Sequence, residues 1–120
     1  MEVCKTFRLE AAHRLSGVPS THPCSQLHGH SFRVEIYVTG YVQEDCGWVM
    51  DFAQIKEAFR PLHEQLDHRY LNEVEGLENP TCENIARWIW ARLRPALPGL
   101  SKVGVAESPD AGCLYRGEQH

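Results

Sequence analysis

The chain has 120 residues, with 12 lysines and arginines against 16 aspartates and glutamates, so its formal net charge is −4. This length predicts a single domain over residues 1–120, and a hydrophobic content of 42% is enough for a core and argues against disorder. The mild acidity argues against a general nucleic-acid or anionic-membrane binder, and no apolar run reaches the roughly 18 residues of a membrane-spanning helix.

Two alternating segments in the first part of the chain predict β-strands. In residues 3–11 and again in residues 31–39, apolar and polar side chains alternate, as they do in a strand with one buried face. A loop rich in glycine, proline and serine separates the two segments at residues 16–23. We therefore expect the two strands to pair antiparallel across this loop.

Two helices and two further strands are predicted after them. Asp51 is a suitable N-cap, and apolar residues at helical spacing predict a helix over residues 52–66. Thr81 is the predicted N-cap of a second helix, which ends before the proline-rich residues 95–99. The last two strands are expected at residues 101–108 and 113–116.

The resulting order of elements is ββααββ. This order indicates an α+β fold, in which an antiparallel sheet carries two helices on one face. Four short strands leave open sheet edges, and such edges must be covered or paired. Pairing with further copies of the chain would satisfy them, so we expect a homo-oligomer.

Histidines are concentrated near the start of the chain. His28 and His30 are two residues apart, so in an extended chain their side chains point the same way. His13 ends the first predicted strand, which should lie beside the start of the second. Three imidazoles and one open position are typical of catalytic zinc. Two alternatives remain: three ordinary histidines, or a closed structural site with Cys24 as fourth ligand.

Four other side chains are candidates for chemistry. A thiol near zinc and imidazoles, such as Cys24, is favoured as a thiolate and can act as a general base, although most free cysteines are inert. Asp67 can orient the adjacent His68, although a histidine also suits a helix C-terminus. Glu107 continues the apolar side of its strand. Its two carboxylate oxygens could there accept hydrogen bonds from an N–H and a neighbouring amino group of a ligand. Alternatively, the Glu107 side chain faces solvent or pairs with an arginine.

The cysteine count bears on the compartment. Five cysteines cannot all pair within one chain, and no secretion signal is visible at its start. We therefore expect reduced thiols and a cytoplasmic protein.

Several motifs occur together between the first predicted strand and the C-terminus. They are FRLEAAHRL at residues 7–15, Cys24-x3-His28-Gly29-His30, Leu66-Asp67-His68, Asn79-Pro80-Thr81-x-Glu83-Asn84 and the late strand glutamate. Jointly they resemble the 6-pyruvoyl-tetrahydropterin synthase family. The short length and residues 76–81 and 115–118 are similar to its bacterial branch, which forms 6-carboxy-5,6,7,8-tetrahydropterin for the queuosine (7-deazaguanine) pathway.

The resemblance implies a fold, an assembly and a set of roles. The fold would be the tunnelling fold, whose sheets join between subunits into a barrel, in a homohexamer. The implied roles are zinc ligands for His13, His28 and His30; the catalytic cysteine for Cys24; its partners, contributed across a subunit interface, for Asp67 and His68; the pterin anchor for Glu107; and a position near the pterin for Thr81.

The implied activity is that of a zinc-dependent lyase. It would convert 7,8-dihydroneopterin triphosphate to 6-carboxy-5,6,7,8-tetrahydropterin, acetaldehyde and triphosphate. The alternatives are a pyruvoyl-forming synthase, which eliminates triphosphate, and a non-enzymatic zinc-stabilised module. Candidates to bind the triphosphate are Arg14, Arg33, Arg69 and Arg116, and their spacing selects none of them. No role is predicted for His22 or His63, and His120 is expected to be a frayed terminus.

Overall fold

The computed structural model describes residues 1–118, so the expectation for His120 lies outside it. The elements in chain order are strand β1 (Glu2–His13), a short 3₁₀ helix (Pro23–Ser25), strand β2 (His28–Thr39), helix α1 (Phe52–Leu66), a second 3₁₀ helix (Leu71–Glu73), helix α2 (Cys82–Leu93), strand β3 (Leu100–Ser108) and strand β4 (Ala111–Tyr115). The strands form one antiparallel sheet in the order β1-β2-β3-β4. The predicted α+β fold is confirmed. No helix among these residues is both long and apolar enough to cross a bilayer.

The first two strands run further than the hydrophobic alternation predicts. The ladder between β1 and β2 continues through the pairs Ala11 with His30 and His13 with His28. The sequence pattern ends earlier because histidines replace aliphatic residues there, whereas backbone pairing does not depend on side-chain hydrophobicity. As a consequence, all three candidate metal ligands lie on regular strand.

One face of the sheet is buried beneath both helices. This face contributes apolar side chains from three strands, which meet the apolar stripes of α1 and α2. The buried set includes Leu9, Ala11, Phe32, Val34, Ile36, Val103 and Val105 from the sheet, and Ile55, Phe59, Leu66, Ile85, Ile89 and Leu93 from the helices. Burying each larger side chain contributes about 1.5–3 kcal/mol. The opposite face of the sheet carries polar and charged residues.

Both predicted helix caps are present. The Asp51 carboxylate accepts a hydrogen bond from the Ala53 amide at 2.9 Å, and Thr81 Oγ1 accepts one from the Asn84 amide at 3.1 Å. These bonds satisfy amides that have no partner within the first turn of a helix. The caps fix where α1 and α2 start, and α1 spans the predicted residues.

Candidate metal centre and active site

Three histidine side chains converge on the helix-facing side of the sheet. One nitrogen from each of His13, His28 and His30 lies within 4.8 Å of the other two. The ring centroids of His13 and His28 are 4.5 Å apart, and those of His28 and His30 are 4.9 Å apart. The strand register produces this cluster, since His28 and His30 share a face of β2 and His13 lies opposite His28. The cluster could hold a metal ion.

The hydrogen bonds around the cluster select the tautomers that a metal requires. His13 Nδ1 lies 2.7 Å from the Pro80 carbonyl oxygen, and His28 Nδ1 lies 2.7 Å from the Gln26 carbonyl oxygen. A carbonyl only accepts, so each Nδ1 carries the proton and donates it, which leaves the lone pair on Nε2. A metal-ligating histidine is held in the same way, with its second nitrogen donating to an outer partner.

The environment of His13 fits a bound cation. His13 is 1% exposed, and its Nε2 is buried with no hydrogen-bond partner among residues 1–118. A buried acceptor without a partner costs about 1–3 kcal/mol. Burial also lowers the pKa of His13, which favours the neutral ring that ligates a metal. A cation bound to Nε2 would satisfy the otherwise unpaired lone pair.

Cys24 lies in the 3₁₀ helix that precedes β2 and is half-buried. Its amide donates to Nδ1 of His22 at 3.0 Å, and its carbonyl accepts from the Leu15 amide at 2.8 Å. The metal-ligand cluster found among the described residues contains three nitrogen donors and does not include the Cys24 thiol. This arrangement disfavours the closed site with sulfur as fourth ligand. His22, to which the sequence assigned no role, caps the segment that carries Cys24.

Glu107 lies at the end of β3 beside the histidine cluster. Its Oε2 is 3.8 Å from Nε2 of His30, and its side chain is 38% exposed, so a ligand can reach it. The Cys82 thiol donates to the same oxygen at 3.8 Å. Burial, together with the charge of Glu107, raises the pKa of Cys82 to about 12, so this thiol stays protonated and remains a donor. Sequence analysis singled out Cys24 among the five cysteines and missed this contact of Cys82.

Asp67 and His68 lie at the outer edge of β1, against Glu10, which is three residues before His13. Asp67 Oδ1 accepts from the Glu10 amide at 2.8 Å, and the His68 amide donates to the Glu10 carbonyl at 2.6 Å. Asp67 Oδ2 is 3.0 Å from His68 Nδ1. The His68 side chain is 78% exposed, and its backbone has a φ of 58°, which non-glycine residues seldom adopt. The pair is therefore oriented as predicted but directed outward.

Replacing Asp67 with asparagine should destabilise the fold in a pH-dependent way. Burial raises the pKa of Asp67, but the Glu10 amide and the His68 ring outweigh it, so the pKa lies below its usual 3.8. The ionised form thus contributes stability above 3.8 that is lost as pH falls through the folded-state pKa. We expect Asp67→Asn to cost about 1 kcal/mol at neutral pH, measured by chemical denaturation.

The difference between wild type and Asp67→Asn should shrink as the solution is acidified. Asp45, in an exposed turn, provides the matched control, and Asp45→Asn should change the free energy of unfolding by less than about 0.5 kcal/mol. A difference for Asp67→Asn that stays constant down to acidic pH would contradict the assigned role of its charge.

The loop before α2 supports the cluster from a third element. Pro80 supplies the carbonyl that orients His13, and the neighbouring Thr81 uses its hydroxyl for the helix cap. A backbone carbonyl carries no residue-type signal, so nothing in the sequence could have identified Pro80 as the partner of His13. The structure thus gives Thr81 a capping role and places it directly after Pro80, whose carbonyl orients the His13 ring.

Comparison with known proteins agrees with this architecture. Residues 2–118 match the family described as 6-pyruvoyl tetrahydropterin synthase. The chain belongs to this family. The resemblance predicted from the motifs is confirmed.

Within the 6-pyruvoyl tetrahydropterin synthase family, differently named proteins are similar to this chain. It is 43% identical over 119 residues to the 6-carboxy-5,6,7,8-tetrahydropterin synthase of Synechocystis sp., a match that covers 94% of this chain and 91% of that protein. It is 46% identical over 78 residues to the dihydroneopterin monophosphate aldolase of Pyrococcus furiosus, covering 65% of each. The solved 6-pyruvoyl tetrahydropterin synthase of Caenorhabditis elegans superposes with a TM-score of 0.90 at 25% identity, covering 98% of this chain and 96% of that one.

Proposed function

We propose that the protein is a zinc-dependent 6-carboxy-5,6,7,8-tetrahydropterin synthase. This lyase would convert 7,8-dihydroneopterin triphosphate to 6-carboxy-5,6,7,8-tetrahydropterin, acetaldehyde and triphosphate in queuosine biosynthesis, in the cytoplasm. The carrying observation is a cluster of three imidazoles, two of them with Nε2 free of its proton, beside the accessible carboxylate of Glu107. The 43% identity to a protein with this name supports the choice of branch.

Zinc suits the donors of the cluster. Three imidazole nitrogens that leave one position for substrate are typical of catalytic zinc, whereas structural zinc is usually closed by a fourth protein ligand. When bound, zinc would supply a Lewis acid that acidifies the hydroxyl groups of the substrate side chain. His13, His28 and His30 would hold it, and the Pro80 and Gln26 carbonyls keep two of these rings in the ligating tautomer.

Glu107 is the proposed anchor of the pterin ring. A carboxylate can accept two parallel hydrogen bonds from a ring N–H and the adjacent amino group, as it does from other planar donor pairs. Cys82 donates to Oε2 of Glu107 and so limits the rotation of the carboxylate. In this proposal Thr81 lies near the bound pterin, and its hydroxyl also caps α2.

Cys24 is the proposed proton carrier at the substrate side-chain carbons. Asp67 and His68 would relay protons, with Asp67 holding the His68 ring through Nδ1. Because the His68 ring is exposed at the outer edge of β1, whereas the three histidines lie on the helix-facing side of the sheet, the pair is proposed to act in the site of a neighbouring subunit. A homohexamer whose sheets join into a barrel would also cover the outer edge of β4 and the start of β1; from Glu10 to Ala12 the outer edge of β1 is already bonded by residues 67–69.

The identity of the products tests this function. Zinc-loaded protein supplied with 7,8-dihydroneopterin triphosphate should release acetaldehyde and triphosphate in equal amounts, because carbon–carbon cleavage follows loss of triphosphate in the carboxy-forming reaction. Acetaldehyde can be followed by a coupled alcohol dehydrogenase and triphosphate by ion chromatography. Chelator-treated protein and 7,8-dihydroneopterin monophosphate serve as controls.

Each of the other outcomes would indicate a different activity for this protein. Triphosphate without acetaldehyde would indicate the pyruvoyl-forming reaction, which the similarity to the Caenorhabditis elegans structure favours as the second candidate. Turnover restricted to the monophosphate would indicate an activity like that named for the Pyrococcus relative. No turnover and no pterin binding would leave a zinc-stabilised module without catalytic function.

A further inference from the structure

The short 3₁₀ helix that carries Cys24 is tied to the histidine cluster at two points. The Cys24 carbonyl accepts a hydrogen bond from the amide of Leu15, which lies two residues after His13. The carbonyl of Gln26, which ends the same 3₁₀ helix, lies 2.7 Å from Nδ1 of His28. Both ties lead to the strand ends that carry candidate metal ligands, so the position of the Cys24 backbone is coupled to that of the cluster.

His22 fastens the opposite end of this 3₁₀ helix, where the chain arrives from the long loop. Its Nδ1 accepts from the Cys24 amide at 3.0 Å, and its carbonyl accepts from the Ser25 amide at 3.0 Å and from Ser25 Oγ at 2.7 Å. Residue 23 is a proline and has no N–H, so the Cys24 amide is the first in the turn that needs a partner. His22 therefore satisfies the amides of both residues that follow Pro23.

This cap requires a tautomer of His22 opposite to that of His13 and His28. A backbone amide only donates, so Nδ1 of His22 supplies the lone pair, and the proton of its neutral ring is on Nε2. In His13 and His28, by contrast, Nδ1 donates to a carbonyl and Nε2 is left for a metal. His22 is also outside the cluster of three candidate ligands. Its contacts therefore connect it to Cys24 and not to the metal centre.

We propose that His22 is a positioning residue, which holds the Cys24 thiol in the place required for proton transfer. The loop before it, residues 16–21, is rich in glycine, proline and serine, so without the cap this end of the 3₁₀ helix can follow the loop. A displacement of about 1 Å in a reacting group can cost about 100-fold in rate. The positioning role rests on the proposed function of Cys24, whereas the cap itself does not.

Two substitutions of His22 separate the cap from the imidazole ring. His22→Ala removes the acceptor, whereas His22→Asn replaces it with one that commonly caps helices. With 7,8-dihydroneopterin triphosphate, His22→Ala should lower kcat by about 10- to 100-fold and change KM by less than about 2-fold. His22→Asn should restore kcat to within about 3-fold of wild type, because the cap is restored. Thr21→Ala is the matched control and should leave kcat unchanged, since Thr21 is exposed and its side chain takes no part in the cap.

Amide hydrogen exchange measures the cap without turnover. The Leu15 amide is bonded to the Cys24 carbonyl, so its exchange rate reports whether the 3₁₀ helix stays in place. His22→Ala should speed the exchange of the Leu15 and Cys24 amides by about 5-fold, the usual effect of losing an N-cap, and His22→Asn should not. Every variant should keep stoichiometric zinc, because the three clustered histidines are unchanged.

The failure of the positioning role and the failure of the function are distinguishable. Unchanged kcat in His22→Ala would overturn the positioning role and leave the function intact. An equal loss of kcat in His22→Ala and His22→Asn would also overturn it, because the imidazole itself would then be required. Wild-type protein that turns over no pterin would refute the proposed function. Faster exchange in His22→Ala alone would then still support His22 as the anchor of the Cys24 segment, and unchanged exchange would refute this anchor as well.

Discussion

Replacing His28 with alanine is expected to abolish stoichiometric zinc binding and, with it, turnover. His28 supplies one of three nitrogen donors, and its Nδ1 is already committed to the Gln26 carbonyl. Loss of an outer partner of a ligand costs about 10–100-fold in metal affinity, so loss of the ligand itself should cost more than about 100-fold. His28 is only half-buried, so the truncation leaves no closed cavity and the variant should fold.

The measurement is metal content by elemental analysis after dialysis, with affinity from competition against a chromophoric chelator. His63→Gln is the matched control, since the His63 ring bonds the Arg8 carbonyl at 3.0 Å and is not part of the cluster. The control should retain zinc and activity. Zinc should also raise the melting temperature of wild type but not of His28→Ala, because only a ligand bound to the folded state stabilises it. A His28→Ala protein with full zinc content would refute the metal centre.

Replacing Cys24 with alanine should have the opposite combination of effects. The cluster found in the structure contains no sulfur, so Cys24→Ala should keep its zinc. Turnover should fall by about 10²–10⁴-fold, the usual contribution of a positioned proton-transfer group. The two variants together therefore separate metal binding from proton transfer, although their residues are only four positions apart.

Cys46→Ala serves as the control for this experiment. Cys46 lies in an exposed turn, where its thiol donates to the side-chain oxygen of Gln43 at 3.8 Å, so its loss should leave zinc content and turnover unchanged. Loss of zinc from Cys24→Ala would instead show that sulfur is the fourth ligand, and the site would then be structural. Unchanged turnover with zinc retained would remove Cys24 from the mechanism.

The elements that sequence predicted well are those whose signal is local. Helix α1 spans Phe52–Leu66 as its periodicity predicts, and the Asp51 and Thr81 caps follow from short-range hydrogen bonds between neighbours in the chain. The spacing of His28 and His30 likewise predicts that they share a face, because strand side chains alternate. These features depend on residues within one turn or a few positions of each other.

The features that sequence could not predict are contacts between distant segments. The Pro80 carbonyl that orients His13 and the Cys82 thiol on Glu107 join residues 67 and 25 positions apart. Each depends on strand register or on where a loop returns to the sheet, and one uses a backbone atom that every residue type possesses.

Sequence by itself therefore determined the α+β fold, the helix bounds and the residue types of the candidate metal centre. Only the tertiary structure decided the ligating tautomers, the absence of Cys24 from the histidine cluster and the outward direction of Asp67 and His68. The physical reason is that side-chain periodicity is encoded along the chain. The positions of lone pairs, protons and charges relative to one another are set by register and packing across the sheet.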